Sequence, residues 1–162
     1  MKLVISDVDN LPFSSSEDIV IIKDNGKIHN CIGCFGCWVK NPGQCLIKDG
    51  YEDMGKKLSM CSELILISKC TYGSLSPFVK NVLDRGISYI HPNFVIRNGE
   101  MHHKRRYKNI IKITAYFYGE DISDFEKETA EKLILANSVN YDGIVEKVIF
   151  INNVDELRGD AF

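Results

Sequence analysis

One stretch narrows the choice of fold before any other. Glu63 to Ser68 reads ELILIS, and its four central residues are all apolar. A strand with no polar face must be covered on both sides, which is the pattern of a strand inside a parallel sheet. Val4 and Ile5, within KLVISDV, read as an earlier buried strand, and Asp18 to Ile22 as a second. Ile110 to Tyr118 and Ile144 to Ile151 supply two more.

Helical patterns lie between these runs. Tyr51 to Met60 mixes apolar and charged residues at helical spacing. Ser76-Pro77 is a cap followed by proline at the first helical position. Phe78, Val79, Val82, Leu83 and Ile87 then share one face. Ile122 to Asn140 is a long helical stretch stopped by Asp142-Gly143. Strands alternating with helices predict an α/β, doubly wound parallel sheet of five strands with helices on both faces.

Three segments break the alternation. Between the first two strands lies DNLPFSSSED, about ten residues, where a parallel crossover needs a dozen or more. The first crossover helix is therefore expected to be missing. Pro92 to Lys108 reads as an irregular insert, with Arg97-Asn98-Gly99-Glu100 as a hairpin turn between FVI and MHH. The tail, NNVDELRGDAF, is polar and is expected to fray.

At 162 residues the expectation is a single domain, 1–162, with a substantial core. A formal net charge of −2 gives no reason to expect nucleic acid or an anionic membrane as partner. No apolar run is long enough to span a bilayer, and MKLVISDVDNLPF lacks a signal-peptide core. The expected location is the cytoplasm, where disulfides are disfavoured. The six cysteines are then thiols or metal ligands rather than staples.

Four of them are crowded: Cys31, Cys34, Cys37 and Cys45, within CIGCFGCWVKNPGQC. The loop at Asn41-Pro42-Gly43 can swing the fourth sulfur back onto the first three. Three readings stand. C-x-x-C-x-x-C with a fourth cysteine suits an iron–sulfur cluster. Four thiolates also suit zinc, although the middle cysteine makes the spacing unusual for it. The third reading is free cysteines in a tight loop, with Phe35 and Trp38 packed nearby. Cys61, at a helix end, reads as core, and Cys70 as a loop thiol.

The segments CIGCFGCWVKNPGQCLIKDG (Cys31 to Gly50) and CTYGSLSPFVKNVLDR (Cys70 to Arg85) carry a resemblance, and Tyr118-Gly119-Glu120 adds to it. From about residue 28 onward the chain resembles the flavodoxin-like NAD(P)H-dependent FMN reductases, and among them the iron–sulfur flavoproteins. The resemblance implies a flavodoxin-like sheet of order 2-1-3-4-5, with FMN at the switch point beyond the carboxyl ends of the strands. It implies flavin contacts from Thr71, Tyr72, Gly73, Ser74, Ser76, Tyr118, Gly119 and Glu120. It implies Cys31, Cys34, Cys37 and Cys45 as ligands of an iron–sulfur cluster. The implied activity is electron transfer from NAD(P)H through FMN to a small acceptor, in a homo-oligomer.

This sequence also departs from that pattern. The family's first strand runs into a Gly/Ser/Thr/Asn-rich phosphate loop and a full helix, whose first amides hold the FMN phosphate. Here Ser14-Ser15-Ser16 can offer only a small anion nest, or a polar surface loop. Lys69-Cys70 stands where a proline is common. A second expectation follows: a non-catalytic partner subunit that has lost its own phosphate site and pairs with a complete flavoprotein. His102 to Lys108 is a basic run suited to a cofactor phosphate, an acidic partner, a solvated loop or a subunit contact. Lys80, Asp84 and Arg85 lie on the helix after the flavin-type loop, with Asp84 pairing locally. Glu120-Asp121 is expected to open the next helix.

Overall fold

The computed structural model describes residues 1–157. The parallel sheet is built from β1 (Lys2–Ser6), β2 (Ile19–Ile22), β3 (Glu63–Lys69), β6 (Lys112–Tyr118) and β7 (Ile144–Ile151). Its order is β2-β1-β3-β6-β7, and every pairing is parallel. Counting only these five strands, the order is 2-1-3-4-5. β3 is the centre, as its unbroken apolar run requires; Leu64, Ile65, Leu66 and Ile67 are all buried.

The helices are α1 (Gly36–Val39), α2 (Met54–Met60), α3 (Pro77–Arg85) and α4 (Asp124–Asn140). Each longer one begins as its residues dictate. Ser76 Oγ accepts from Val79 N with Pro77 at the first position, which caps α3. Ser123 and Glu126 form a reciprocal capping box on α4. The start of α4 is thus set at Ser123, rather than by Glu120-Asp121: the serine leaves the helix free of those two acids.

The expectation of helices on both faces is corrected. Buried residues of α2, α3 and α4 (Met54, Leu58, Val79, Val82, Ala130, Ile134) all pack with Leu3, Ile5, Leu64, Leu66, Ile113, Ala115 and Phe117 on one face. The opposite alternation, Val4, Ile65, Ile67 and Tyr116, packs against Leu157, Val8, Leu11, Phe13 and Val154. Among the described residues no α-helix covers that second face. Residues 7–18 run from β1 to β2 without a helix, as their length predicts, so irregular chain does the covering instead.

The insert is more ordered than expected. β4 (Ile90–Arg97) and β5 (Glu100–Arg105) form an antiparallel hairpin closed at Asn98-Gly99. A 3-10 turn, Ile87–Tyr89, links it to α3. The polar tail is in part tied down: Asn153 caps a 3-10 turn at Val154–Glu156, and Leu157 is buried. The rest of the expected fraying tail lies outside the described residues. Among the described residues no helix is long and apolar enough to cross a membrane.

Candidate functional site

The loop from β2 to α2 gathers the four clustered cysteines. After Cys34, Phe35 takes a left-handed conformation (φ 55°) and the chain turns into the single-turn helix α1, which carries Cys37 and Trp38. Gly43 N donates to Cys37 O (2.9 Å), and Cys45 N donates to Glu52 O (2.9 Å). These bonds fold the segment back, as its Pro-Gly turn suggests. Cys31, Cys34, Cys37 and Cys45 then line one cavity of about 200 Å³, walled by Ile32, Phe35, Trp38, Ile47 and Ile87. Cys31 and Cys34 are exposed at its mouth, while Cys37 and Cys45 are buried. Burial, then the neighbouring Cys45, Cys31 and Cys34, push the Cys37 thiol above its ordinary range.

Arg85, the last residue of α3, completes this cavity. Its side chain is fully buried. Nη1 donates to His29 O (2.9 Å) and Asp49 Oδ2 (2.5 Å); Nη2 donates to Ile47 O (3.0 Å) and Asp49 Oδ1 (2.9 Å). Asp49 also accepts from His29 N and Tyr51 N. Burial works against the Asp49 carboxylate, but the Arg85 and backbone hydrogen bonds outweigh it and hold its pKa at about 2. Burial likewise works against the Arg85 charge. Asp49's hydrogen bond and the nearby Cys45 and Asp49 outweigh it, and its pKa is raised.

One donor is left over. Arg85 Nε is buried without a hydrogen-bond partner. A buried N–H without an acceptor costs about 1–3 kcal/mol. Cys45 lines the same cavity as Arg85, but Nε makes no hydrogen bond there. Four thiols and one buried, unsatisfied N–H donor thus share an apolar pocket. Among the described residues no three metal-ligating side chains converge into a ready-made site for a metal ion.

Arg85 is the site residue that sequence reasoning missed. Its signal was present: it lies seven residues after Phe78 and three after Val82, on the buried face of α3. A cation there needs a partner inside the protein.

The second region lies at the carboxyl ends of the strands. Thr71 N donates to Ser74 O and Ser74 N to Thr71 O (2.9 Å each), and Ser76 N donates to Ser68 Oγ (2.8 Å). Three backbone amides of the loop implied to contact a flavin are thus spent locally. Tyr72 is left-handed (φ 52°) and 90% exposed. Gly73 packs its backbone on α4, where a Cβ would lie 2.7 Å from Thr129 Cβ. Cys70, Tyr118, Gly119 and Glu120 line an open cavity together with Asp121 and Glu126. These residues adjoin the Thr71–Ser76 loop through Cys70, and none of them lines the cysteine cavity.

Where the family pattern implies a phosphate cradle, the chain places Asp7. It follows β1 at the switch point, and its Oδ2 accepts from Lys69 N (2.9 Å). Burial, then the Asp7 charge, push the Tyr118 hydroxyl far above its ordinary range. Among the described residues no helix stands between β1 and β2. Ser14 and Ser15 line a separate shallow hollow with Asp9, Asn10 and Lys23. A carboxylate at the switch point, and acids beside it, do not fit a phosphate dianion. Of the basic run, Arg105 is spent on Tyr107, Lys108 and Asn109 carbonyls, and His103 packs on Trp38 and Phe94. Lys80 pairs with Asp84 on α3.

Comparison of the chain with family models and with curated proteins finds no match.

Proposed function

We propose that this chain is a flavodoxin-like redox protein whose electron-carrying group is held by Cys31, Cys34, Cys37 and Cys45. In this reading it is a partner subunit to a complete flavoprotein, and it has lost its own FMN phosphate site. The observation that carries the reading is the shared, apolar cavity of four thiols backed by the unsatisfied Arg85 Nε. The sheet order supports the flavodoxin-like assignment. When bound, an iron–sulfur cluster supplies one-electron transfer. The chain's own contribution is to supply the thiolates, line the cavity with the apolar surfaces of Phe35, Trp38 and Ile87, and offset negative charge with Arg85.

The second reading is a self-contained, NAD(P)H-dependent FMN reductase passing electrons to a small acceptor, with no side chain acting as general acid. Tyr72, exposed on a loop at the sheet's carboxyl end, favours it. Asp7 and the missing helix oppose it.

An absorption spectrum of anaerobically purified protein, with iron, zinc and acid-labile sulfide assays, separates the two. Iron and sulfide in equal amounts, with a broad band bleached by reductant and no change on adding FMN, is the expected result. Two resolved flavin bands would establish the second reading. A colourless chain containing neither iron nor sulfide, after anaerobic reconstitution, would overturn the first.

A further inference from the structure

Arg85 does two things at the cysteine loop that its place on α3 makes possible. Its guanidinium binds His29 O and Ile47 O, which stand two residues before Cys31 and two residues after Cys45. It therefore closes the base of the loop that carries all four thiols. Its fifth donor, Nε–H, is the one left unsatisfied, inside the cavity that the thiols line. Asp49 neutralises the guanidinium from the opposite side with both carboxylate oxygens.

We infer that Arg85 is a positioning residue for the thiolate-bound group, and that its Nε–H donates to the Cys45 sulfur once that sulfur is a ligand. This rests on the proposed cysteine-held cluster. Arginine suits the task because its planar fork can serve two backbone carbonyls and a carboxylate while a separate N–H faces elsewhere. A hydrogen bond to a ligating thiolate withdraws charge from it and favours the reduced state. The Arg85–Asp49 pair is neutral as a whole, so the two partners set the potential in opposite directions. Loss of Arg85 leaves the Asp49 carboxylate without its counter-charge behind the site, whereas loss of the Asp49 charge leaves an uncompensated guanidinium.

The test uses the full chain, reconstituted anaerobically with iron and sulfide. Redox titration of Arg85→Gln is expected to show at least a tenfold fall in the reduction constant, which is 59 mV for one electron. Asp49→Asn is expected to move it tenfold the other way. A third measurement needs no folded variant. In wild-type protein grown with ¹⁵N-arginine, pulsed EPR of the reduced cluster is expected to show a weak coupling to one guanidinium nitrogen. A wild type that binds iron and sulfide but shows no such coupling overturns the role of Arg85 and leaves the cluster reading standing. Unchanged potentials in both variants do the same. A wild type that takes up no iron and sulfide overturns both together.

Discussion

At the scale of single residues, one buried ion pair decides more than any other contact. Asp49 is held at about 2 in the folded chain against its ordinary 3.8. Its folded pKa is depressed, so its contribution is complete above about pH 4 and is lost as pH falls towards 2. The shift corresponds to about 2 kcal/mol. Urea midpoints measured from pH 5 down to pH 2 should fall steeply in the wild type and less steeply in Asp49→Asn; parallel curves would show that the pair carries no such linkage. The thiols should differ as sharply. Cys31 and Cys34 are exposed, whereas Cys61 is 1% exposed and burial pushes its pKa up to about 12. Alkylation of the metal-free chain followed by peptide mapping should label the first two rapidly and Cys61 only on unfolding. Early labelling of Cys61 would contradict the packing described.

At the scale of elements, local chemistry sets where helices start and how loops seat on them. Ser123→Ala removes the Oγ that accepts from Glu126 N, leaves the Ser123 N–H free to donate to Glu126 Oε2, and should cost about 1 kcal/mol in chemical denaturation. Gly73 combines a φ of +73° with a backbone pressed on α4. Gly73→Ala forces a Cβ to within 2.9 Å of Glu126 O and should destabilise by about 1–3 kcal/mol. A neutral result would mean that the 71–76 loop can lift off α4. The β4–β5 hairpin meets the cysteine loop at Trp38, whose Nε1 donates to Ile90 O (3.0 Å) and whose ring lies 5.1 Å from His103. The hairpin thus bears on the cavity through Trp38 and the His103 ring packed against it.

At the scale of the whole molecule, the unusual fact is a parallel sheet with, among the described residues, α-helices on one side only. The second face is closed by residues 8–13 and by Leu157. Leu157→Ala should therefore cost about 2–5 kcal/mol, as a core leucine does, although it lies in a polar tail. A loss below 0.5 kcal/mol in urea unfolding would show that the tail does not seal this face. Much of this architecture was legible beforehand. The five strands, the three longer helices and the absent first crossover helix all follow from periodicity, caps and segment length. The one-sided layering was not. A run such as ELILIS reports that both faces are covered and says nothing of what covers them. The hairpin strands were obscured because IHPNFVIR and EMHHKR are half-exposed, so alternation against a core is weak.

The candidate site divides along the same line. Spacing alone picked out Cys31, Cys34, Cys37 and Cys45 and the turn able to bring them together, because short-range geometry is written in neighbouring residues. Arg85 reaches Asp49 across 36 residues and His29 across 56, and that meeting exists only when α3 packs beside the loop. The sequence by itself determined the order of strands and helices and the crowding of four thiols, since these depend on local pattern. The tertiary structure decided which face the helices share, what stands at the switch point, and which charge lies behind the thiols, since each of these is a contact between distant segments.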